Sequence, residues 1–291
     1  MTTPTDAWLE GFLAAERLPP AYGRVVEQVA VPLAGKIAAA VRPGGIVVGV
    51  CGPQASGKST LTAVVRRLLE ARGLKVALIS LDDLYLTHDQ RQALSREVHP
   101  LLAVRGVPGT HDVALGISLL RDLRAPGSVS LPAFDKARDD RKPGPVIEGP
   151  VDVVLFEGWC VGARPQNPAA LAKPINALER EKDPDGVWRA YANAALAGPY
   201  QALFGALDLL ILLQAPGFEV VLDWRIEQER KLRERLAREG GDASRVMSDA
   251  QVDAFIRHYE RLTRWILEEM PDRADVVVAL DRSRQPLSAP P

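Results

Sequence analysis

The sequence predicts an α/β fold in which a doubly wound parallel sheet carries helices on both faces. Five short apolar segments alternate along the chain with segments of helical periodicity. A strand that is apolar along its whole length suits a parallel sheet, because such a sheet is buried on both faces. Ligands of these sheets bind at the carboxyl ends of the strands, so the residues that follow each strand are the first candidates for chemistry.

The five predicted strands occupy apolar runs bounded by turn-forming residues. They are GIVVGVC (45–51), KVALISL (75–81), VDVVLF (151–156), LDLLILL (207–213) and ADVVVAL (274–280). Helices are predicted between and after them, at 59–73, 111–124, 224–239 and 249–268. A β-excursion is predicted around the charged loop DKARDDRKPG (135–144).

Three regions follow from this pattern. Residues 1–43 are predicted to form an N-terminal helical extension, which the segment Leu18-Pro19-Pro20 interrupts. Residues 44–284 are predicted to form the main domain, with a lid at about 216–240. The Pro-rich end, 285–291, is predicted to be a disordered tail.

The composition is that of an ordinary globular protein. Charged residues make up 25% of the 291 positions and the formal net charge is −1, so no bulk field favours nucleic acid or an anionic membrane. No apolar run reaches about 18 residues, and the N-terminus lacks the features of a secretory signal. We expect a cytoplasmic monomer that binds neither nucleic acid nor a membrane. Cys51 and Cys160 are expected to be buried free thiols.

A phosphate-binding loop follows the first predicted strand. The pattern G-x-x-x-x-G-K-[ST], extended by one residue, is met by Gly52, Pro53, Gln54, Ala55, Ser56, Gly57, Lys58, Ser59 and Thr60. The glycines let the backbone wrap an anion, and the helix that starts near Gly57 adds its positive end. Lys58 is placed to reach the β- and γ-phosphates, and Ser59 to hold Mg²⁺. The motif predicts a P-loop NTPase fold that binds a nucleoside triphosphate with Mg²⁺, and by itself leaves ATPase, GTPase and kinase open.

Carboxylates follow the second and third predicted strands. Asp82 and Asp83 come directly after KVALISL. A kinase needs a carboxylate there to accept the proton of the attacking alcohol, and Asp82 is preferred for this role. The alternative is that the pair caps a following helix. Glu157 closes VDVVLF in the Walker-B position and is predicted to orient Mg²⁺, with a plain surface glutamate as the alternative.

Motifs of two other nucleotide-using classes are missing from the sequence. No N-K-x-D segment occurs, which argues against a GTPase. The chain also lacks an H-R-D and D-F-G pair, which excludes a protein kinase.

Two segments, 105–112 and 132–141, are rich in side chains that bind small anions. Arg105 offers a planar fork that suits a carboxylate. Thr110 either binds the acceptor or caps the helix that starts at His111. Asp135 and Lys136 are predicted to face the acceptor hydroxyl and the γ-phosphate, or else to form a surface ion pair. The candidate acceptor-binding residues are Arg105, Thr110, His111, Asp135, Lys136 and Arg141.

The charged segment WRIEQERKLRERLARE (224–239) follows the fourth predicted strand, where P-loop kinases carry a lid. Arg225 and Arg230 are candidates to close over the phosphates and stabilise the charge of the transition state. The alternative is a solvated helix with i,i+4 ion pairs such as Glu227 with Lys231.

Taken together, these segments resemble the D-glycerate 3-kinases of the plant and fungal type, relatives of phosphoribulokinase, uridine kinase and pantothenate kinase. The matching segments lie between about 45 and 282 and are GPQASGKST, SLDDLYLT, RGVPGTHD, LPAFDKARDDR, VVLFEGW and HYERLTRW. The resemblance implies ATP-dependent phosphorylation of D-glycerate to 3-phosphoglycerate. It assigns Lys58 and Ser59 to ATP and Mg²⁺, and Asp82 to the base position. Near the acceptor it places Arg105, His111, Asp135 and Lys136.

Two other functions stay open at this point. The first is a P-loop kinase of another small alcohol, such as a nucleoside or pantothenate; the pairing of Arg105 with Lys136 argues against it by favouring a compact anionic acceptor. The second is a nucleotide-binding switch or ATPase that has no small substrate. ATP turnover without an acceptor separates a switch from a kinase, because the kinase requires the alcohol.

Overall fold

The central feature of the chain is a five-stranded parallel sheet, seen in a computed structural model that describes residues 4–15, 18–239 and 246–288. Within these residues the strands are β1 (Ile46–Cys51), β2 (Val76–Ser80), β3 (Gly127–Asp135), β4 (Asp140–Gly149), β5 (Val153–Gly158), β6 (Leu209–Gln214) and β7 (Val276–Ala279). The sheet has the order β2-β5-β1-β6-β7, with parallel pairing throughout, and β3 pairs with β4 as a separate antiparallel hairpin.

The strands form where the sequence is continuously apolar. Each of the five sheet strands lies within two residues of its predicted bounds. All six residues of β1 and all six of β5 are buried, which requires cover on both faces of the sheet. The prediction of a parallel α/β sheet is confirmed.

Helices occupy most of the connections between the strands. In the described residues they are α1 (Pro4–Ala15), α2 (Tyr22–Val25), α3 (Val31–Ala40), α4 (Lys58–Glu70), α5 (His88–Glu97), α6 (Val113–Asp122), α7 (Ala177–Lys182), α8 (Val187–Ala197), α9 (Pro199–Phe204), α10 (Phe218–Glu239) and α11 (Asp249–Glu269). A π-helical segment, Val26–Ala30, joins α2 to α3.

Several helices differ from the sequence-based expectation. The charged helix α10 begins six residues earlier than predicted. Its first turn carries little charge and is anchored in the core by the buried side chains of Phe218 and Val221. Helix α5 was not predicted, since its one buried side chain is Arg91 and it has no apolar periodicity. Its start is marked instead by reciprocal hydrogen bonds between Thr87 and Gln90. Helices α7 to α9 were also not predicted; α7 and α9 have six residues each, too few to show a helical period.

The N-terminal helices belong to the same core as the sheet. Val29, Ala30 and Ile37 are fully or almost fully buried, and the segment that carries them packs against α4. In α1, the rings of Trp8 and Phe12 meet edge to face with their centroids 6.1 Å apart. The predicted extension at 1–43 therefore contributes apolar surface to the main hydrophobic core.

The other end of the chain pairs with the last strand. Leu280 and Pro286 form an isolated bridge, and Leu287 N donates to Ala279 O at 2.9 Å. Pro286 and Leu287 of the predicted tail are thus held against Leu280 and the end of β7. Residues 289–291, like residue 240 at the end of the predicted lid, lie outside the described residues.

Two expectations from composition concern the cysteines and membrane spans. Cys51 and Cys160 are both buried and free, as expected. No helix within 4–15, 18–239 or 246–288 combines the length and apolar character needed to cross a bilayer.

The topology decides where polar side chains collect. Strand β5 lies between β1 and β2, and all three run in the same direction. Their carboxyl ends therefore meet at one edge of the sheet. The phosphate loop follows β1 there, Asp82-Asp83 follows β2, and Glu157 is the last residue but one of β5.

Candidate active site

The phosphate loop lies at the junction of β1 and α4. Helix α4 begins at Lys58, and Gly57 precedes it with a φ of 89°. Ala55 also has a positive φ, 59°. Left-handed residues in such a loop turn neighbouring backbone N–H groups toward a shared concave side, which suits an anion. The positive end of α4 points to the same place, so the loop has the form that holds phosphate groups.

A hydroxyl and a carboxylate meet beside this loop. Ser59 Oγ donates to Glu157 Oε1 at 2.9 Å, and Lys58 Nζ lies 3.9 Å from Glu157 Oε2. Glu157 is 5% exposed. Among the described residues, neither Glu157 Oε2 nor the buried Ser56 Oγ has a hydrogen-bond partner. Hydroxyl and carboxylate oxygens are the donors that Mg²⁺ takes, directly or through water, so this pair fits the ion.

Asp82 lies in the turn that follows β2 and is charge-paired. Its Oδ2 accepts from Lys136 Nζ at 2.8 Å and its Oδ1 accepts from Tyr85 Oη at 3.1 Å. Burial by itself would raise the pKa of Asp82, but Lys136 and Lys58 outweigh it and hold the pKa at about 2. The side chain is 33% exposed, so an ionised carboxylate is open to a ligand at neutral pH.

Asp83 has a different environment from its neighbour. Its Oδ1 accepts from the backbone N–H of Phe134 at 2.9 Å and so ties the β3–β4 hairpin to the turn after β2. Burial raises the pKa of Asp83, and repulsion from Asp82 and Glu157 raises it further. Neither aspartate caps the following helix, because Thr87 caps α5. The alternative that the pair forms a helix cap is wrong.

Aromatic side chains hold the loop that carries Arg105. Trp159 Nε1 donates to Gly106 O at 3.0 Å, and Tyr259 Oη donates to Arg105 O at 3.1 Å. The φ of Gly106 is 141°, and a Cβ there would lie 2.2 Å from Tyr259 Oη. The loop can therefore approach the Tyr259 hydroxyl only because residue 106 is a glycine. Tyr259 is itself buried, with 3% of its surface exposed.

His111 is buried beside Asp82 and is neutral. Burial lowers its pKa to about 3, against the opposing effect of Asp82. The ring stacks on Tyr85 at 4.5 Å, and Nδ1 lies 2.6 Å from Tyr200 Oη. Tyr200 Oη accepts a hydrogen bond from Gly109 N at 3.0 Å. Among the described residues, His111 Nδ1 is the one acceptor within reach of the Tyr200 hydroxyl proton. That proton therefore goes to Nδ1, which leaves His111 Nε2 with the ring proton and without a partner.

Arg105 is partly buried and pairs with a carboxylate of the hairpin. Its Nη1 contacts Asp139 Oδ1, and its guanidinium lies over the Phe134 ring, 5.5 Å from the centroid. Arg91, which is 1% exposed, donates to the other oxygen of Asp139 at 2.8 Å. The side chain of Arg105 is 24% exposed, and its charge lies close enough to Tyr85 to oppose the rise that burial causes in the pKa of the Tyr85 hydroxyl.

Thr110 is buried inside the Arg105 loop. Its hydroxyl donates to Val107 O at 2.7 Å and accepts from Gly106 N at 3.1 Å. Helix α6 starts two residues later than predicted and is capped by Asp112, which accepts from Leu115 N at 3.0 Å. The alternative that Thr110 caps this helix is wrong, and its contacts are those of a residue that fixes the shape of the loop.

The remaining acceptor candidates lie on the β3–β4 hairpin. Asp135 accepts from two backbone N–H groups of the turn, at 3.0 and 3.1 Å. Arg141 donates to Tyr85 O at 2.6 Å and to Asp112 Oδ2 at 3.1 Å, and so joins the hairpin to the turn after β2. Lys136, between them, is 63% exposed and reaches Asp82. Of the three, only Lys136 contacts the carboxylate that follows β2.

The two candidate lid arginines face different surroundings. Arg225 is 17% exposed and forms an ion pair of 2.5 Å with the buried Glu229. Burial raises the pKa of the Tyr259 hydroxyl, and Arg225 lies close enough to oppose this rise. Arg230 is 59% exposed and pairs with Asp249 at the start of α11. Only Arg225 is therefore on the side of the cluster around Asp82. The expected pair of Glu227 with Lys231 is present at 2.5 Å.

Sequence reasoning missed several residues of this cluster. In the sequence, Arg91 lies in a polar segment and looks like a solvated residue. Asp139 is one of several charged residues in the hairpin loop. Their pairing brings together positions 48 residues apart, which no local pattern indicates. Tyr85 was within the segment SLDDLYLT, and a tyrosine three residues after a candidate base was the signal that could have singled it out.

Relatives of this chain include named kinases. No protein-family profile matches the chain. The uncharacterised kinase mug58 of Schizosaccharomyces pombe is 32% identical over 226 residues, which are 73% of this chain and 78% of that protein. The chloroplastic D-glycerate 3-kinase of Arabidopsis thaliana is 29% identical over 267 residues, which are 84% of this chain and 54% of the plant protein. The chain thus spans about half the length of the plant relative.

A solved structure matches the fold over nearly its full length. The D-glycerate 3-kinase from Cryptococcus neoformans var. grubii has a TM-score of 0.71 at 26% identity, covering 93% of this chain and 98% of its own. The similarity therefore extends over most of the chain and is not confined to the phosphate loop.

Replacing Lys136 with Met should change how stability depends on pH. A carboxylate whose folded pKa is depressed below its ordinary value of about 3.9 stabilises the fold above that value, and this contribution is lost as the pH falls through the folded pKa. Without Lys136, burial dominates and the pKa of Asp82 rises. The difference in free energy of unfolding between the two proteins should be constant above about pH 6 and shrink as the pH falls from 5 to 3.

Urea unfolding at a series of pH values measures this difference. Lys75→Met is the matched control, because Lys75 is exposed and its side chain has no ion-pair partner among the described residues. For Lys75→Met, the difference in free energy of unfolding from the wild type should not depend on pH. The same lack of pH dependence for Lys136→Met would contradict the pairing of Lys136 with Asp82.

Proposed function

The chain belongs to the D-glycerate 3-kinase family of P-loop kinases, and we propose that it transfers the γ-phosphoryl group of MgATP to D-glycerate, giving 3-phosphoglycerate. The observation that carries this proposal is the Arg105 fork, partly open and in the same cluster as Asp82. A compact acceptor with one carboxylate and a hydroxyl matches a guanidinium on one side and an ionised carboxylate on the other.

The nucleotide binds at the phosphate loop. The backbone N–H groups between Gly52 and Lys58 and the positive end of α4 hold the phosphates, and Lys58 reaches the transferred group. Ser59 and Glu157 are the residues that would hold Mg²⁺. The ion would supply positive charge that offsets the charge of the phosphates.

The acceptor binds between the Arg105 loop and the turn after β2. Arg105 takes the carboxylate through the part of its fork that Asp139 leaves free. His111 has a buried, neutral Nε2–H without a partner, which can donate to an acceptor hydroxyl that reaches it. Asp82 accepts a hydrogen bond from the attacking hydroxyl, and Lys136 lies beside both.

Arg225 is the lid arginine of this proposal. It lies on the side of Tyr259, where Asp82 and Arg105 also act on the same hydroxyl. A guanidinium there can approach the phosphoryl group in transfer and stabilise its charge. Arg230 instead joins α10 to α11 through Asp249.

ADP release across a panel of acceptors tests the proposed activity. D-glycerate should support turnover, whereas glycerol, uridine and pantothenate should support it poorly, because each lacks a compact pairing of carboxylate and hydroxyl. ATP without an acceptor should be hydrolysed slowly, and Lys58→Ala should abolish transfer to glycerate. Faster turnover with uridine or pantothenate would assign a different acceptor, and turnover that no acceptor accelerates would point to a switch or ATPase.

Asp82→Asn should leave ATP binding intact and lower kcat by about 10²- to 10⁴-fold, the usual contribution of a positioned base. The substitution keeps the shape of the side chain and removes its charge. Calorimetry measures nucleotide binding and steady-state rates give kcat. Asp83→Asn is the matched comparison, because an amide oxygen can still accept from Phe134 N–H. A larger loss from Asp83→Asn would mean that Asp83 is the base.

Arg105→Lys should raise KM for D-glycerate about tenfold or more, which corresponds to roughly 1.5–3 kcal/mol of charge-assisted hydrogen bonding. An ammonium group keeps the charge but cannot bind both carboxylate oxygens as a planar fork does. KM for ATP should barely move, because the nucleotide rests on the phosphate loop. Initial rates with both substrates varied give the two constants. An equal rise in KM for D-glycerate and KM for ATP would show that Arg105 does not bind the acceptor.

A further inference from the structure

Two arginines and one aspartate form a charged cluster beside the proposed acceptor site. The Asp139 cluster consists of Arg91 on α5, Arg105 in its aromatic-bound loop, and Asp139 in the turn of the β3–β4 hairpin. Each oxygen of the Asp139 carboxylate contacts one guanidinium. Both guanidinium groups also lie over the ring of Phe134, 5.7 and 5.5 Å from its centroid.

The two arginines are used to different extents. Arg91 donates from all three of its nitrogens, to Leu86 O at 3.2 Å, to Ala103 O at 3.3 Å and to Asp139. Arg105 donates through Nη1 alone. Within the described residues, its Nε and Nη2 have no hydrogen-bond partner. The cluster therefore offers one free guanidinium edge, and that edge belongs to Arg105.

The cluster carries one uncompensated positive charge. Both guanidinium groups are permanently charged. Burial would raise the pKa of Asp139, but Arg91 and Arg105 outweigh it and keep the pKa below its ordinary value, so the carboxylate is ionised. His88 Nδ1 approaches Asp139 at 3.5 Å from the solvent side and is half exposed. Lys136 and Asp82 neutralise each other nearby.

We infer that Asp139 is a specificity-determining residue: by neutralising one of the two arginines, it adjusts the acceptor site to a ligand with a single negative charge. This inference rests on the proposed function, because it takes Arg105 as the group that binds the acceptor carboxylate. A monocarboxylate cancels the remaining charge on Arg105. An acceptor of the same size with two carboxylates brings a second charge into a site that already holds Asp139 and Asp82, and like charges in such a site are unfavourable.

Tartronate is a direct probe of this specificity. It differs from glycerate in that a second carboxylate replaces the hydroxymethyl group, so it cannot be phosphorylated at that carbon and acts as a competitive inhibitor. The wild-type protein should bind D-glycerate at least tenfold more tightly than tartronate. The measured quantity is the ratio of the inhibition constant of tartronate to the KM of D-glycerate.

Asp139→Asn should lower this ratio about tenfold or more. Asparagine has the same shape and tolerates the left-handed backbone of residue 139, whose φ is 57°. A shift of the Arg105 fork would affect both ligands alike and cancel in the ratio, whereas the added positive charge favours the dianion twice as strongly as the monoanion. Asp89→Asn is the control, because it removes the same charge from an exposed position on α5 and should leave the ratio unchanged.

The outcomes separate this inference from the proposed function. A wild-type protein that does not phosphorylate D-glycerate overturns both. If glycerate is phosphorylated but Asp139→Asn leaves the ratio within twofold of wild type, or if wild type binds tartronate as tightly as glycerate, the inference alone is overturned. Thermal unfolding checks that the variant is folded. Should Asp139→Asn not fold, Asp139→Gly, which also suits the backbone, decides by the same ratio.

Discussion

The parallel register of β5 between β1 and β2 is the constraint on which the site depends. Glu157 lies opposite Val50 on one side and opposite Ser80 on the other. Two residues beyond each of these partners come Gly52 of the phosphate loop and Asp82. A slip of one residue in either pairing would turn the Glu157 side chain to the opposite face of the sheet and separate it from Ser59. Every residue of β1 and β5 is buried, so a slip would force side chains on both faces of the sheet to repack against their neighbours.

A second level of organisation is the pairing of cations around this edge. Each of four cations lies next to a carboxylate. The pairs are Lys58 with Glu157, Lys136 with Asp82, Arg105 with Asp139, and Arg225 with Glu229. Lys58, Arg105 and Arg225 are partly buried, and a buried cation without a partner would be costly to desolvate. Lys136 is exposed, and its carboxylate partner orients it without that cost. Because the cations are already oriented, little reorganisation is needed when anionic ligands bind, which is the condition for effective stabilisation of developing charge.

The parts of the structure that were predictable are those that local patterns determine. Apolar runs gave the five strands to within two residues, and the spacing of Gly52, Gly57 and Lys58 located the phosphate loop. Helix α5 was not predicted because it packs through a buried arginine, whereas hydrophobic periodicity detects only apolar faces. Arg225 and Arg230 could not be separated by sequence, since they are alike in type and lie on one helix. Their tertiary partners, a buried glutamate and an exposed aspartate, distinguish them.

The electrostatics of Asp82 bear on how the proposed reaction proceeds. A carboxylate with a pKa of about 2 is ionised at any working pH and is a weak base. Early removal of the proton from an alcohol would demand a stronger one. Phosphoryl transfer through a loose transition state makes no such demand, because little bonding to the attacking oxygen has formed when the barrier is crossed. In the proposed reaction Asp82 then orients the hydroxyl and accepts its proton late, once bonding to phosphorus makes that proton acidic. In the proposed reaction, the pairing with Lys136 that weakens Asp82 as a base also brings a positive charge toward the transferred group, so base strength is exchanged for charge stabilisation.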